Sequence, residues 1–248
     1  CSFCALTHHQ GRIIQSRSID SIVREVERMA RMPEFTGVVQ DVGGPTANMY
    51  GIHCGRWETT GTCPDRRCID CPALDRSHEE QLRLLRRLAE IPGVKRVFIA
   101  SGIRYDLIPP DEEYLAEVCE HHVSGHLKVA PEHVAKRVTA AMGKPPREAF
   151  DAFRERFEAL QAGKKKRQYL VPYLMSGHPG CRMENMVELA EYVRDTGLYT
   201  EQVQDFTPTP MSISTTIYHT GLDPFTLKEV YVPKGREKRV QRALMHYR

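Results

Sequence analysis

The chain has 248 residues, 41% apolar and 27% charged, with 35 Lys and Arg against 32 Asp and Glu. That composition excludes collagen-like, disordered and disulfide-scaffold classes, and the length fits one large α/β domain better than two small ones. A formal charge of +3 says nothing about partners; with no apolar run of the ~18 residues a membrane span needs and no leader pattern, a cytoplasmic protein without membrane contact is expected.

The chain opens on Cys1-Ser2-Phe3-Cys4. A Cys-x2-Cys loop brings two sulfurs to one metal, but a structural zinc needs four ligands and an iron-sulfur cluster three or four, so further ligands must come from elsewhere in the fold or from sequence ahead of Cys1. With no initiator Met before Cys1, the chain reads as a piece of a longer protein. Nearby Arg12 and Arg17 would favour thiolate over thiol.

Ile19, Ile22, Val23, Val26 and Met29 recur at helical spacing, and Thr36 to Val42 reads as the first strand. Asp41-Val-Gly-Gly-Pro-Thr46 follows. Gly43-Gly44 is either a tight turn or a side-chain-free surface against which a small ligand can lie, with Asp41 and Thr46 placed to hold an amine or hydroxyl. No dinucleotide or P-loop glycine pattern is present.

Residues 51–78 have no helical period and hold Cys54, Cys63, Cys68 and Cys71 among glycines and prolines. Four thiols in such a loop point to a second metal, as zinc or as an auxiliary iron-sulfur cluster, with His53 and His78 as substitute ligands. A helix through Leu82, Leu85 and Leu88 and a strand over Val94 to Ala100 come next, the strand leaving through Ser101-Gly-Ile-Arg104.

A helix stripe at Tyr114, Leu115 and Val118 carries Cys119, expected in the core. The strand Gly125 to Val129 leaves through Lys128-Val-Ala-Pro-Glu-His133, and Phe150, Phe153, Phe157 and Leu160 mark another helix. Lys164 to Arg167 reads as solvated surface. The strand Gln168 to Leu174 exits through Ser176-Gly-His-Pro-Gly180 to Cys181, which is either structural or part of a site. A helix stripe at Met186, Val187, Ala190 and Val193 precedes the strand Glu201 to Phe206, which leaves through Gln204-Asp-Phe-Thr-Pro-Thr209. The tail from Lys234 to Arg248 is basic.

Strands alternating with helices, each strand ending in polar and glycine-rich sequence, indicate a parallel βα array whose C-terminal loops share one mouth. Five strands are too few for an eight-stranded barrel, so the array is open or partial, and a further strand is expected ahead of Cys1.

Laid in order, the segments CSFCALTHHQGRIIQSRS, DVGGPTANMYG, FIASGIRYDL, HVSGHLKVAPEH, SGHPGC and EQVQDFTPTPMS resemble the radical S-adenosylmethionine superfamily, and within it the YgiQ-type proteins, over nearly the whole chain. The resemblance implies a partial parallel (β/α)6 barrel whose first strand lies outside this chain, with the Cys-rich loop 51–78 inserted after the first visible strand. It divides the chain into a core of 1–225 and a basic segment of 226–248 that begins a further region. It implies a [4Fe-4S] cluster held by Cys-x3-Cys-x2-Cys, whose second and third ligands match Cys1 and Cys4 and whose first would lie four residues before Cys1.

Phe3 matches an aromatic near the adenine of S-adenosylmethionine. Gly43 and Gly44 match glycines of a motif contacting its amine, with Pro45 where an acidic residue often stands and Asp41 or Thr46 as substitutes. Ser101, Lys128, Glu132, Gln204 and Thr207, at later strand ends, are candidates for ribose, carboxylate or substrate contacts. The expected activity is reductive cleavage of S-adenosylmethionine to a 5'-deoxyadenosyl radical that acts on an unknown substrate, with an electron donor as partner. The alternative is a non-enzymatic, zinc-stabilised module that binds nucleic acid through the Cys54 to Cys71 loop and the basic tail.

Overall fold

In the computed structural model, which describes residues 1–64, 68–110, 113–198 and 202–246, all five expected strands form. They are β1 (Val38–Val39), β2 (Arg96–Val97), β3 (His126–Glu132), β4 (Tyr169–Ser176) and β5 (Gln202–Asp205). The ends of two expectations, Glu201 and the tail residues Tyr247 and Arg248, lie outside the described residues, as do residues 65–67 of the Cys-rich loop.

The first two strands pair in parallel, Val38 with Arg96 and Val39 with Val97. Regular geometry is shorter than the apolar pattern predicts because Gly37 enters β1 at φ +90° and its carbonyl accepts both Lys95 and Arg96 amides, at 2.7 and 3.1 Å. Beyond the strand, Phe98 donates to Val39 at 2.9 Å and Val42 to Phe98 at 2.8 Å, so hydrogen bonding carries the two chains on to the Gly43 turn. The other three strands form one sheet in the order β3-β4-β5, with β4 and β5 parallel from Tyr173–Gln202 to Ser176–Asp205. The architecture is mixed α/β with parallel pairs in two small sheets; no closed barrel exists among the described residues.

The chain divides into two compact units. One comprises Ile13–Lys128 and Phe153–Tyr169. Ser18 caps its first long helix, Ile19–Ala30, by accepting the Ser21 amide, and the helix buries Ile19, Val23 and Val26. Glu79–Ala89 buries Leu82, Leu84, Leu85 and Leu88. The expected helix at Tyr114 runs as Glu113–Glu117 and then widens into a π-turn, Val118–His122, which places Cys119 in the core as expected.

The other unit comprises Cys1–Arg12, Val129–Ala152 and Leu170–Arg248. Its core holds Leu174, Met186, Leu189, Phe206 and Ile217. The stripe predicted at Met186, Val187, Ala190 and Val193 is corrected here: Met186, Leu189 and Tyr192 face inward, while Val187 is 41% exposed. Tyr192 decides the rotation, because its hydroxyl donates to Asp151 at 2.5 Å and its ring lies 4.6 Å under the Arg147 guanidinium. At the basic tail, the helix Gly235–His246 is tied in by Lys238, which donates to the Phe206 carbonyl at 2.5 Å, and by the fully buried Gln241. No helix among the described residues is long and apolar enough to cross a membrane.

Candidate functional site

Cys1 to Cys4 form a turn closed by the Cys4 amide donating to the Cys1 carbonyl at 3.2 Å. Ser2 pins that turn. Its amide donates to Met142 at 2.8 Å, its hydroxyl donates to Ala141 at 2.8 Å and lies 2.8 Å from the Ser214 hydroxyl, and its carbonyl accepts the Ser214 amide at 2.9 Å. With Ser2 held from both sides, the thiols are left at the surface: Cys1 is exposed and Cys4 half-buried. Phe3 packs edge-on against His178, with centroids 6.1 Å apart, and Lys144 Nζ stands 5.6 Å above its ring.

Behind Phe3 lies a buried polar cluster. Lys144 donates to the Ala130 carbonyl at 2.8 Å and sits 3.4 Å from Glu132 Oε1, whereas Glu132 Oε2 is buried without a hydrogen-bond partner. Glu132 adopts φ +64°, and burial raises its carboxyl above the ordinary range against the pull of Lys144.

Burial pushes the neighbouring histidines the other way, His178 down to about 4 and His133 down to about 3, so both are neutral at pH 7. His133 Nδ1 accepts the Val134 and Ala135 amides at 3.0 Å, leaving Nε2 3.7 Å from Cys181 Sγ. Burial pushes the Cys181 thiol up to about 12. It is therefore an inert thiol packed on an imidazole.

In the other unit, Asp41, Gly43, Ser101 and Lys128 come together. One Asp41 oxygen accepts the Ala100 and Ser101 amides, at 2.9 and 3.0 Å, and the other accepts the Ser101 hydroxyl. Burial would raise the carboxyl, but the Ser101 hydroxyl, the two amides and the Lys128 charge outweigh it and hold it below the usual range. Asp41 is thus a brace between the ends of β1 and β2.

Gly43 has no room for a side chain, since a Cβ there would meet Ser101 Oγ and come 2.6 Å from Asp41 Oδ1. Gly44, by contrast, faces open space. Thr46 is half-buried beside it. Of the remaining candidates, Gln204 is exposed within β5, its carbonyl 3.5 Å from the Ser176 hydroxyl, and Thr207 is exposed and donates to the Asp205 carbonyl at 3.2 Å.

Cys54, Cys63, Cys68 and Cys71 line one cavity of about 20 Å³ together with Arg56, Trp57 and Leu74. The histidines do not join them. His53 lies near Glu58 and Trp57, and His78 is buried against Tyr114 with Nε2 3.2 Å from Asn48. As the side chains stand, no three His, Cys, Asp or Glu among the described residues form a ligating group.

Sequence reasoning missed Ser2, Lys144, His178 and Ser214 as partners of the Phe3 loop. The only available signal was the placement of His133 and His178 just past β3 and β4.

Residues 201–248 match the family described as "Domain of unknown function (DUF3362)". Over 252 aligned residues that take in all of this chain, it is 59% identical to a UPF0313 protein of Methanosarcina acetivorans and 58% to one of Methanosarcina mazei. It is 50% identical over 254 residues to a UPF0313 protein of Clostridium perfringens. These alignments cover 34%, 40% and 38% of the three relatives, so the chain spans well under half the length of the curated proteins it matches. The chain is accordingly similar, along its whole length, to one segment of proteins named UPF0313.

Proposed function

We propose that the chain carries the core of a radical S-adenosylmethionine enzyme, with Cys1, Cys4 and a cysteine four residues ahead of Cys1 holding a [4Fe-4S] cluster. The observation that carries the reading is the pinned Cys1–Cys4 turn, whose Ser2 is fixed by four hydrogen bonds while Cys1 is exposed and Cys4 half-buried. Two soft sulfur donors on a rigid turn suit an iron-sulfur centre, and the partnerless Glu132 Oε2 is a buried acceptor still lacking a donor. When bound, the cluster supplies the electron that cleaves S-adenosylmethionine to methionine and a 5'-deoxyadenosyl radical.

This chain's own residues hold and shape the surroundings. Phe3, fixed by His178 and Lys144, offers an apolar ring face for an adenine. In the other unit, taken by itself, Gly44 leaves backbone open to a ligand, and Asp41 keeps that backbone in place by accepting the Ala100 and Ser101 amides. The neutral His178 and His133 add no charge beside the loop. An electron donor and a substrate of unassigned class complete the system, because a fold does not specify its substrate.

The test is anaerobic reconstitution of the full-length protein with iron and sulfide, followed by reduction and assay for 5'-deoxyadenosine. The expected result is cleavage that disappears in Cys4→Ala while the circular dichroism spectrum is kept. Absence of a cluster, or cleavage retained by Cys4→Ala, overturns the reading.

A further inference from the structure

The inserted loop is closed at its neck. His53 and Asp75 form an antiparallel bridge, the Asp75 amide donating to the His53 carbonyl at 2.9 Å, and all four cysteines of the loop lie between these two residues. Inside the neck, Cys68 to Cys71 repeat the turn of Cys1 to Cys4, with the Cys71 amide donating to Cys68 at 3.0 Å, and the Trp57 amide donates to Cys54 at 2.9 Å. Among the described residues of the loop, regular structure is limited to the short helical turns Arg56–Thr59 and Cys68–Asp70. The apolar cluster beneath is small: Ile52, Cys54, Leu74 and Leu107 are buried, with Met49, Trp57, Cys68 and Ile69 against them.

From these relations we infer that Cys54, Cys63, Cys68 and Cys71 form a site for a single tetrahedral zinc ion that cross-links the loop, independent of any cluster at Cys1 and Cys4. The inference does not rest on the reading proposed above. Three features carry it.

The four thiols line one cavity and supply the four cysteine ligands a closed structural zinc site uses; as the side chains stand they do not converge on one point, so metal binding would draw them together. That cavity, about 20 Å³, has room for a lone ion among the four sulfurs. Zinc with four thiolates bears a net charge of −2, and Arg56 on the same wall offsets part of it. Binding releases the four thiol protons, and the free energy of ligation becomes folding free energy for a loop with so little core of its own.

The experiment is metal analysis of the full-length protein, purified after growth with zinc. The expected result is a zinc equivalent that is lost in Cys68→Ser/Cys71→Ser and kept in Cys1→Ser/Cys4→Ser. Should the loop variant fail to fold, the wild type decides the matter by two other readings. Cobalt substitution gives the visible bands of a tetrahedral thiolate site, and peptide mass spectrometry shows these four thiols shielded from alkylation until a strong chelator is added.

Iron in place of zinc, disulfides among the four cysteines, zinc unchanged in the loop variant, or thiols alkylated without chelator would each overturn the inference. Because zinc content is read without S-adenosylmethionine, its outcome is separate from that of the cleavage assay.

Discussion

His178 Nε2 lies 2.7 Å from Ser214 Oγ, and the same serine oxygen lies 2.8 Å from Ser2 Oγ, so one hydroxyl couples a buried imidazole to the exposed cysteine turn. Ser214→Ala removes both contacts and leaves a buried ring nitrogen without its partner, a loss of about 1–3 kcal/mol. The Ser214 amide still donates to the Ser2 carbonyl, so the turn persists but loosens. Chemical denaturation should show the loss, and alkylation of Cys1 and Cys4 should quicken.

The same histidine sets an acid limit. Its folded value, about 4, lies below the ordinary 6.5, so its contribution is complete above pH 6.5 and is lost as pH falls toward 4. His133, at about 3, extends that window downward. The effect of His178 alone is about 3 kcal/mol. Glu132 runs the opposite way: its raised carboxyl favours the fold below its ordinary value, and that contribution is lost as pH rises through the folded one. The measurement is urea unfolding at several pH values. His178→Gln should flatten the dependence between pH 6.5 and 4, and an unchanged slope would assign the acid sensitivity elsewhere.

Lys144 joins two neighbourhoods, lying 3.4 Å from Glu132 and 5.6 Å from the Phe3 ring centre. Lys144→Met keeps much of the stem but leaves the buried Glu132 without its counter-charge. Breaking such a buried pair costs about 3–5 kcal/mol, whereas Glu132→Gln should be milder because no charge is stranded on the acid side. Equal losses in the two variants, by thermal or urea unfolding, would argue against a working ion pair.

Gly43 and Gly44 should separate under the same substitution. Gly43→Ala forces a Cβ against Ser101 and Asp41 and should destabilise by about 1–3 kcal/mol. Gly44→Ala meets nothing within 4 Å, so its stability should change by about 0.5 kcal/mol or less. If the proposed ligand lies over Gly44, that variant alone should weaken S-adenosylmethionine binding in calorimetry while unfolding as the wild type does.

The strands were legible because each is an apolar run ended by glycine and polar residues, and the five runs formed where expected. The (β/α)6 barrel is a finer claim than two small parallel sheets. Val187 misled because its apolar side chain fits the helical period, whereas the aromatic Tyr192 beside Arg147 and Asp151 sets which face turns inward. Spacing alone groups the four loop cysteines, and the structure sets them around one cavity. The bracing role of Asp41 is not visible in the sequence because its three donors, the Ala100 and Ser101 amides and the Ser101 hydroxyl, come from a segment 59 and 60 residues away. Lys144 and Ser214 escaped for a similar reason: neither carries a local pattern, and each matters through partners brought to it by the fold.

The Ser2–Ser214 contact spans 212 positions of sequence. During synthesis the cysteine turn leaves the ribosome 212 residues ahead of the serine that fastens it, so its thiols stay unfastened over that stretch of translation. A metal that reaches the turn before the helix Ile213–Thr220, capped by Ser212, has emerged meets cysteines that still lack their Ser214 fastening.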